Sequence, residues 1–568
     1  MQPDWRRALA RVVASHRREA LLVAGAVALV YWAARLSLPH LLGAFGDDAV
    51  YVALGKAIAT GQGYRSIYAA GQPVQLKYPP GLPLVLAALW LLGRSLATVT
   101  WLAETLSVLV SAAAAGVVWW IARAKLGMHP LVAFVCAIGP FLMDAAILYF
   151  SLPISEPYFV LLWAVALGAA YRLRERADAA TALGLGLTVA AATLCRTEGV
   201  ALIAGLLLAL ALQRVPWRAT ALYLAAALTP LLAWTWLHAR LVAAGPVSTQ
   251  PDELPYTAWL PVHTLADPLR LAAAAVRVTW PEYWKWFAAY VSEVRLVGFA
   301  VVAVGLALVV AGGVLVARRH QALWCTTLGS AVLVMLWPWP QDRFVFGFLP
   351  FAGLLAGVAV QDAVSRAGAR VRSLAYAGLV LFAAGIAARQ VALRSLVYRP
   401  VSAQKVLGVP YVGQFLAGNA SYLSIVSRWL RDHTAPTDRI LVDQPAAIYL
   451  YTARRTVAAT PAQSAIAPNL FDRPGAYLAG RVLADSVTVV VLSVQRQLLA
   501  RDVAQMYRRC PGVLQYAGSA RFWSDGPIGA YFYRVTRRDG CVEQLAQRGQ
   551  RGQRGQQGDA RDTGAGQH

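Results

Sequence analysis

Two adjacent carboxylic acids, Asp47 and Asp48, follow the first long apolar run and open a segment of helical character. Acids at a helix start are stabilised by the macrodipole, so capping alone would account for the pair. Other polar groups sit beside apolar runs: Lys77 in K-Y-P-P-G, Glu156 in S-E-P and Arg196 in R-T-E-G. Acids can remove a proton or bind a metal ion, and cations can hold a phosphate group. Together they suit a group transfer in which a phosphate leaves.

The composition predicts a membrane protein. Of the 568 residues, 58% are hydrophobic and 14% are charged, whereas roughly 25% are charged in an ordinary soluble domain. Runs such as Leu21–Ala34 and Leu296–Val316 approach or reach the length of about 20 apolar residues that crosses a bilayer. These runs therefore read as transmembrane helices.

The formal net charge of +24 raises the question of nucleic-acid binding. The basic residues, however, form short clusters between the apolar runs, which is the positive-inside pattern of cytoplasmic loops. We therefore expect the lipid bilayer as a partner and no nucleic acid, with the N-terminus in the cytoplasm. The clusters lie at Arg6–Arg18, Arg123–Lys125, Arg172–Arg176, Arg214–Arg218, Arg318–Arg319 and Arg366–Arg372.

Placing these clusters inside predicts about eleven transmembrane helices over residues 20–396, after a cytoplasmic segment 1–19. The candidate residues then all fall on the exported side. We expect Leu82–Gly93 to be re-entrant or interfacial, since it is short for a span. The aromatic segment Trp280–Phe287 is typical of the membrane interface. The exported catalytic loops are predicted at residues 39–98, 151–157 and 240–295.

Residues 397–542 predict an exported α/β domain. Asn419 is expected to cap a helix over Ser421–His433, and four strands are expected at Arg439–Asp443, Val487–Leu492, Val513–Gly518 and Ile528–Val535. Cys510 and Cys541 bracket the last two strands; a disulfide and two free thiols both remain open. Residues 543–568, rich in Gln, Gly and Arg, predict a disordered tail.

The order of these motifs resembles the GT-C glycosyltransferases. The sequence has a basic N-terminus, a span, G-D-D-A-x-Y, K-Y-P-P-G-L-P-L, S-E-P and R-T-E-G in that order. Within the superfamily it is most similar to bacterial relatives of the protein O-mannosyltransferase and aminoarabinose transferase group. The resemblance covers roughly Ala20 to Leu396. It implies a polytopic α-helical membrane fold of GT-C type, with interfacial helices and the exported C-terminal α/β domain.

The resemblance also implies an activity. A hexosyl or pentosyl group would move from a polyprenyl-phosphate donor to a cell-envelope acceptor, with inversion, on the extracytoplasmic face of the cell membrane. Asp47 matches the expected general base on the acceptor hydroxyl. Asp48 stands where the family usually has Glu and would orient the base or bind a metal. Glu156 matches an acid that binds a metal or the acceptor.

The expected phosphate-binding residues are Lys77, Arg196 and Arg343. The inserted Tyr78 shifts Lys77 by one position relative to the K-P-P of the aminoarabinose enzymes. Arg343 resembles a recurring Arg before a Pro-ended segment. The cofactor such a site would take is a divalent cation, Mg or Mn, with Asp48 and Glu156 as its candidate ligands.

Purely structural roles for these residues, and two other classes of function, remain open from the sequence. Arg196 and Glu198 could simply pair with each other across a helix break, and Lys77 could lie along the membrane interface. A transporter or flippase of lipid-linked sugars also needs many spans, although transporters place their sites near the bilayer midplane. A non-catalytic envelope scaffold is the third class.

Overall fold

The computed structural model describes residues 5–36, 42–43, 45–247, 272–273, 276–277, 280–281, 283–285, 295–337, 342–397, 411–459, 476–493, 497–521, 528–536 and 540–547. The chain divides into two compact units. The helical unit comprises Met1–His40, Tyr78–Arg240 and Thr264–Gln414, and the sheet unit comprises Leu41–Lys77, Leu241–His263 and Phe415–His568. Most of the expected loop 240–295 and residues 548–568 of the expected tail lie outside the described residues.

The helical unit is built from long apolar helices. Helix α2 (Asp47–Ala59) belongs to the sheet unit. The α-helices of the helical unit are α1 (Trp5–Leu36), α3 (Gly81–Gly93), α4 (Leu96–Trp120), α5 (Pro130–Val132), α6 (Asp144–Ser151), α7 (Ser155–Glu175), α8 (Ala179–Cys195), α9 (Gly199–Leu212), α10 (Trp217–Ala244), α11 (Arg295–Val316), α12 (Gln321–Met335), α13 (Asp342–Arg366) and α14 (Ala369–Val397).

Five helices among the described residues are long and apolar enough to cross a membrane, or six if one bent pair is a single span. Four shorter apolar helices accompany them, among them α3, which was expected to be re-entrant or interfacial. A polytopic helical membrane fold is therefore confirmed, whereas the number eleven stays a prediction. The five spans are His16–Leu36, Leu96–Lys125, Trp217–Ala244, Leu296–Val316 and Arg343–Arg366.

The apolar stretch from Pro130 to Ser151 is bent and does not form one straight helix. Its two parts, Pro130–Leu142 and Ala145–Ser151, meet at 63°, and the chain there passes through a π-helix (Ala133–Ile138) and a 3₁₀ turn (Gly139–Leu142). Pro140 lies at the break, where it cannot donate the backbone N–H that a continuous helix requires.

A buried ion pair joins α1 to α4. Arg35 Nη2 lies 2.5 Å from Glu104 Oε1, and each side chain is only 3% exposed. Ionised groups inside membrane spans are costly unless they are paired, so each residue of this pair makes the other tolerable. Neither residue was predicted from the sequence to have a role.

The sheet unit contains a five-stranded mixed sheet in the order β2-β1-β3-β5-β4. β1 pairs in parallel with β2 and β3, whereas β5 pairs antiparallel with β3 and β4. Four strands match predicted segments, and β2 was not predicted. The strands are β1 (Arg439–Val442), β2 (Arg455–Ala458), β3 (Val489–Ser493), β4 (Leu514–Arg521) and β5 (Ile528–Val535).

Helices of the C-terminal region accompany this sheet, among them α15 (Tyr411–His433), α16 (Pro445–Thr452), α17 (Ala476–Ala484) and α18 (Gln497–Arg509). α15 begins at Tyr411, so Asn419 lies inside the helix and does not cap it. The expectation of a cap was wrong because the preceding residues continue the helical turn.

Cys510 and Cys541 form a disulfide, which decides between the two alternatives left open by the sequence. The second cysteine belongs to a helix over residues 540–547. Val542 and Leu545 of that helix are buried in the core of the sheet unit. The folded region therefore runs past residue 543, where the disordered tail was expected to begin.

The first loop after α1 folds as part of the sheet unit. Ala69 forms a parallel bridge with Thr456 of β2, and the Thr456 amide donates a hydrogen bond of 2.8 Å to the Tyr68 carbonyl. Near the start of the loop, the Tyr451 hydroxyl accepts from the Leu42 amide at 2.6 Å and donates to the Leu42 carbonyl at 3.1 Å. The edge of β2 is thus covered by residues almost four hundred positions earlier.

We predict that a methyl group at Gly312 disrupts the packing of α11 on α13. A Cβ atom built there overlaps the carbonyl oxygen of Leu355, which is backbone and cannot rotate away. Gly312→Ala should therefore lower the stability of the detergent-solubilised protein by about 1–3 kcal/mol, a typical cost of overpacking. Thermal unfolding followed by tryptophan fluorescence measures the change.

Gly305→Ala is the matched control because it changes the same helix at a position where a Cβ meets nothing within 4 Å. It should unfold at or above the wild-type midpoint, since Ala favours a helix over Gly. Equal losses in the two variants would contradict the close approach of the helices.

Candidate functional site

The helical unit holds a buried cluster around Glu156. This residue lies in the first turn of α7 and is 1% exposed. Its Oε1 lies 2.6 Å from Nη1 of Arg196, which is 8% exposed. The same Nη1 donates a hydrogen bond of 3.1 Å to the Ser155 hydroxyl. The S-E-P turn and the R-T-E-G break, separated by forty residues of sequence, therefore meet in one cluster.

The local backbone explains why these two sequence motifs meet. Arg196 caps the C-terminus of α8, and α9 begins three residues later at Gly199. A Cβ at Gly199 would lie 2.5 Å from Thr193 Cα, so the tight break between the helices needs glycine. Gly81, at the start of α3, approaches the Leu194 carbonyl just as closely, because a Cβ there would lie 2.7 Å from it.

Arg196 also pairs with Glu198 through two contacts. Its Nε donates to Oε2 at 3.0 Å and its Nη2 to Oε1 at 2.7 Å. The side-chain pair across the helix break, considered as an alternative from the sequence, is therefore present. It does not exclude the link to Glu156, because the guanidinium uses a different nitrogen for each carboxylate.

Arg343 completes the cluster from the start of α13. Its Nε lies 3.7 Å from Oε1 of Glu156. The guanidinium carbons of Arg343 and Arg196 lie 5.3 Å and 5.1 Å from the centre of the Phe344 ring, within the range of cation–π attraction. The aromatic ring lets two cations approach each other, and two carboxylates balance their charge.

The acid pair lies in the sheet unit, at the N-terminus of α2. Asp48 is fully buried; its Oδ2 accepts a hydrogen bond of 2.7 Å from the Gly43 amide and its Oδ1 one of 3.4 Å from the Phe45 amide. Burial raises the pKa of Asp48 to about 6, although hydrogen bonds from the backbone amides of Gly43, Ala49 and Phe45 favour the charged form. Asp47 is only partly buried.

Glycines shape the loop that precedes this pair. Gly43 has φ of 97°, and a Cβ there would lie 2.5 Å from Ala447 Cβ on α16. Gly46, directly before the pair, has φ of 81°. Both positions use the left-handed region that glycine tolerates best. These glycines therefore allow the turn that aims two backbone amides at Asp48.

Lys77 also belongs to the sheet unit and is partly buried. Its amide donates to Gln75 Oε1 at 2.8 Å, and Gln75 Nε2 in turn donates to the Ser66 hydroxyl at 3.1 Å. The side-chain amide of a buried glutamine thus fixes the backbone where the K-Y-P-P motif begins.

The environment of Glu156 does not fit a divalent cation. Two guanidinium groups lie within 4 Å of its Oε1, and they would repel a metal ion at this carboxylate. Across the described residues, no group of three or more His, Cys, Asp or Glu could hold a metal. The metal-binding role expected of Asp48 and Glu156 therefore gains no support from their contacts.

The overall fold has counterparts of known structure. ArnT from Cupriavidus metallidurans in the apo state aligns with a TM-score of 0.55 and 14% identity, over 92% of this chain and 98% of that chain. ArnT from the same organism bound to undecaprenyl phosphate aligns with a TM-score of 0.53 and 14% identity, over 91% and 98%. The Archaeoglobus fulgidus oligosaccharyltransferase in the apo form aligns with a TM-score of 0.48 and 14% identity, over 92% of this chain and 74% of that chain.

No family model and no curated protein sequence matches this chain. At 14% identity, the likeness to ArnT shows that the fold is shared. The polytopic helical fold that the motif order implied is therefore confirmed as a fold shared with ArnT. The likeness extends over almost the whole chain and therefore over both units.

The structure identifies contributors that the sequence analysis missed. The Phe344 ring lies near both arginines. It was passed over because one aromatic residue among many in a span has no distinctive spacing. Tyr451 anchors the loop of the acid pair, but it is 409 positions from Leu42. Phe344 could have been found from its position next to Arg343 in the sequence, whereas nothing in the sequence links Tyr451 to Leu42.

We predict a distinctive pH dependence of stability from Asp48. Because folding raises its pKa from 3.8 to about 6, the native state holds a proton that the unfolded state releases between these values. Its contribution to stability is complete below pH 3.8 and is lost as pH rises through about 6. The total is of the order of 3 kcal/mol at about 1.4 kcal/mol per pKa unit.

Asp48→Asn removes this titration, so its stability relative to wild type should increase from pH 4 to pH 7. Chemical unfolding of the purified protein at several pH values measures the difference. Asp432→Asn replaces an exposed carboxylate of the same unit and should run parallel to wild type. Parallel curves for Asp48→Asn would show that Asp48 is not buried as described.

Proposed function

We propose that this chain is a membrane glycosyltransferase that transfers a sugar from a polyprenyl-phosphate donor to a cell-envelope acceptor. The observation that carries the proposal is the buried cluster in which Arg196 and Arg343 meet at Phe344 and Glu156. The GT-C fold, shared with an ArnT structure that contains undecaprenyl phosphate, supports it. Ionisable residues at membrane depth are costly and mark functional sites, and this cluster brings two arginines to Glu156.

The arginine cluster would act on the leaving group. When the bond between the sugar and the phosphate breaks, negative charge develops on the lipid phosphate and must be stabilised. Arginine presents a planar fork of N–H donors that matches phosphate geometry. Glu156 and Glu198 hold the guanidinium of Arg196 in place before the phosphate binds, so they act as positioning residues. Lys77 is proposed as a further phosphate ligand.

The acid pair would act on the acceptor. A general base must be within hydrogen-bond reach of the hydroxyl that it deprotonates. Asp47 is the more accessible of the two acids, and we assign it as the base. Asp48 accepts two backbone amides and is fully buried, so we assign it to positioning the helix start. Attack of the acceptor oxygen on the anomeric carbon, opposite the departing phosphate, inverts the configuration.

The proposed location follows from the chemistry and the charge pattern. The basic clusters favour a cytoplasmic N-terminus, and the proposed location is the inner or plasma membrane. The acid pair, the arginine cluster and the C-terminal α/β domain then belong to the extracytoplasmic side. The acceptor is a glycolipid, a glycan or a protein of the envelope.

We predict that Asp47→Asn abolishes transfer. Without the base, the rate should fall by at least about 100-fold, within the range that general-base catalysis supplies. Mass spectrometry compares envelope glycolipids, glycans and glycoproteins from cells that carry no gene, the wild-type gene or the variant gene. The sugar present only with the wild type identifies the acceptor class.

Glu175→Gln is the control for expression and membrane insertion, since Glu175 is an exposed residue that pairs with Lys125. It should restore the modification fully. Restoration by Asp47→Asn at equal expression would refute the assignment of the base. Movement of a lipid-linked sugar across the bilayer without any new modification would favour a flippase.

We also predict that Arg196→Lys weakens binding of the donor. Lysine keeps the charge beside Glu156 but cannot form the two-contact pair with Glu198 or offer a planar fork to phosphate. In a transfer assay with purified protein, the KM for the lipid donor should rise by about tenfold. The control Arg172→Lys alters an exposed residue on α7 and should leave KM unchanged.

A further inference from the structure

The sheet unit has a cavity of its own, between α15 and α16. Its volume is about 150 Å³, roughly ten times the least volume that holds one water molecule. Two serines and two arginines lie in its lining beside apolar surface; the lining residues are Leu423, Ser424, Ser427, Arg428, Arg431 and Tyr451. None of these residues was assigned a role from the sequence.

The helical spacing of α15 brings its polar residues to one face. Ser424, Arg428 and Arg431 are separated by four and three residues, so they lie along the same side of the helix. All three are exposed, which leaves the cavity open to solvent. Ser427 lies behind them and is only 3% exposed. The cavity therefore has a cationic rim and a hydroxyl in its wall.

The Ser427 hydroxyl is the unusual feature of this cavity. Its oxygen is buried and has no hydrogen-bond partner among the described residues. A buried hydroxyl without a partner costs about 1–3 kcal/mol. Serine in a helix commonly donates to the carbonyl four residues earlier, and this one does not. An oxygen-rich ligand in the cavity would supply the missing partner.

The two arginines have donors available for such a ligand. Arg428 makes no ion pair or side-chain hydrogen bond within the described part of the chain, whereas Nη1 of Arg431 donates to the Tyr451 carbonyl at 3.2 Å. That contact fixes one edge of the Arg431 guanidinium at the cavity wall. The other edge is left for a ligand, as in a preformed anion site.

Tyr451 closes the other side of the cavity. Its hydroxyl is already engaged with both backbone groups of Leu42, so it contributes a ring wall and no further donor. The lining residues include no Asp or Glu. A dianion with several acceptor oxygens matches two guanidinium groups and one hydroxyl better than a neutral sugar does.

We propose that Ser427, Arg428 and Arg431 form a binding site for a phosphate group, distinct from the arginine cluster of the helical unit. The phosphate would accept hydrogen bonds from both guanidinium groups and from the Ser427 hydroxyl. The group can come from a soluble phosphomonoester or from a lipid headgroup. The site stands independently of the proposed glycosyl transfer, since it requires no catalytic residue.

The test uses the full chain in neutral detergent, with isothermal titration calorimetry of sn-glycerol 3-phosphate. Wild type should bind it, and Ser427→Ala and Arg428→Ala should each weaken binding by about tenfold. Arg501→Ala is the control, because Arg501 is an exposed arginine of α18 in the same unit and does not line the cavity. It should bind like wild type.

Thermal unfolding separates binding from folding. Ser427→Ala removes a buried hydroxyl that lacks a partner, so its unfolding temperature without ligand should equal or exceed that of wild type. The stabilisation by sn-glycerol 3-phosphate should nevertheless shrink. No binding by wild type, or equal losses of affinity in Arg501→Ala and Arg428→Ala, would overturn the proposal.

A second titration identifies the source of the phosphate. Dihexanoyl phosphatidic acid presents the same group on a short lipid. Tighter binding of this lipid than of glycerol phosphate, lost in Arg428→Ala, assigns the site to a headgroup. Equal affinities that are both lost in the variant assign it to a soluble phosphate ester.

Discussion

The cost of withdrawing charged groups from water governs the arrangement of this protein. An ionised side chain inside a bilayer protein is tolerated when an opposite charge lies beside it. Arg35 and Glu104 satisfy this condition between two spans, and Arg196 satisfies it with two carboxylates at the break between α8 and α9. Arg196 and Glu198 lie where α8 ends and α9 begins, so the paired charges occupy the break between two short apolar helices.

The cost of burying a charge is met differently in the loop that carries Asp47 and Asp48. Asp48 is held by backbone amides of a glycine-rich turn. That turn is shaped by Tyr451, which binds both backbone groups of Leu42, and by Ala447, which leaves no space for a side chain at residue 43. The geometry of the acid pair therefore depends on the α/β domain as well as on the helix that carries it. The domain is a structural part of this loop.

The sequence predicted those features that local patterns determine. Apolar length gave the membrane class, short apolar and aromatic runs gave four strands, and motif order gave a fold that is shared with ArnT. It did not reveal the pairing of Arg35 with Glu104, because a lone charge inside an apolar run carries no mark of its partner. Nor did it reveal the joining of Tyr68 to Thr456, since no local pattern specifies a contact over such a separation. The bend near Pro140 was missed because a proline near the middle of a span is compatible with both a kink and a continuous helix.

The structure also sharpens the difference between the two adjacent acids. Successive residues of an α-helix point about 100° apart, so a helix whose first turn lies against a protein surface buries one acid and leaves its neighbour nearer to solvent. Asp48 takes the buried direction and is satisfied by amides, and its raised pKa reflects this burial. Asp47 is left on the more accessible side with a second carboxylate behind it. The buried acid thus anchors the helix start through backbone amides and leaves its neighbour on the more accessible side. A general base must reach the hydroxyl that it deprotonates, so of the two acids Asp47 is the one that suits the proposed role.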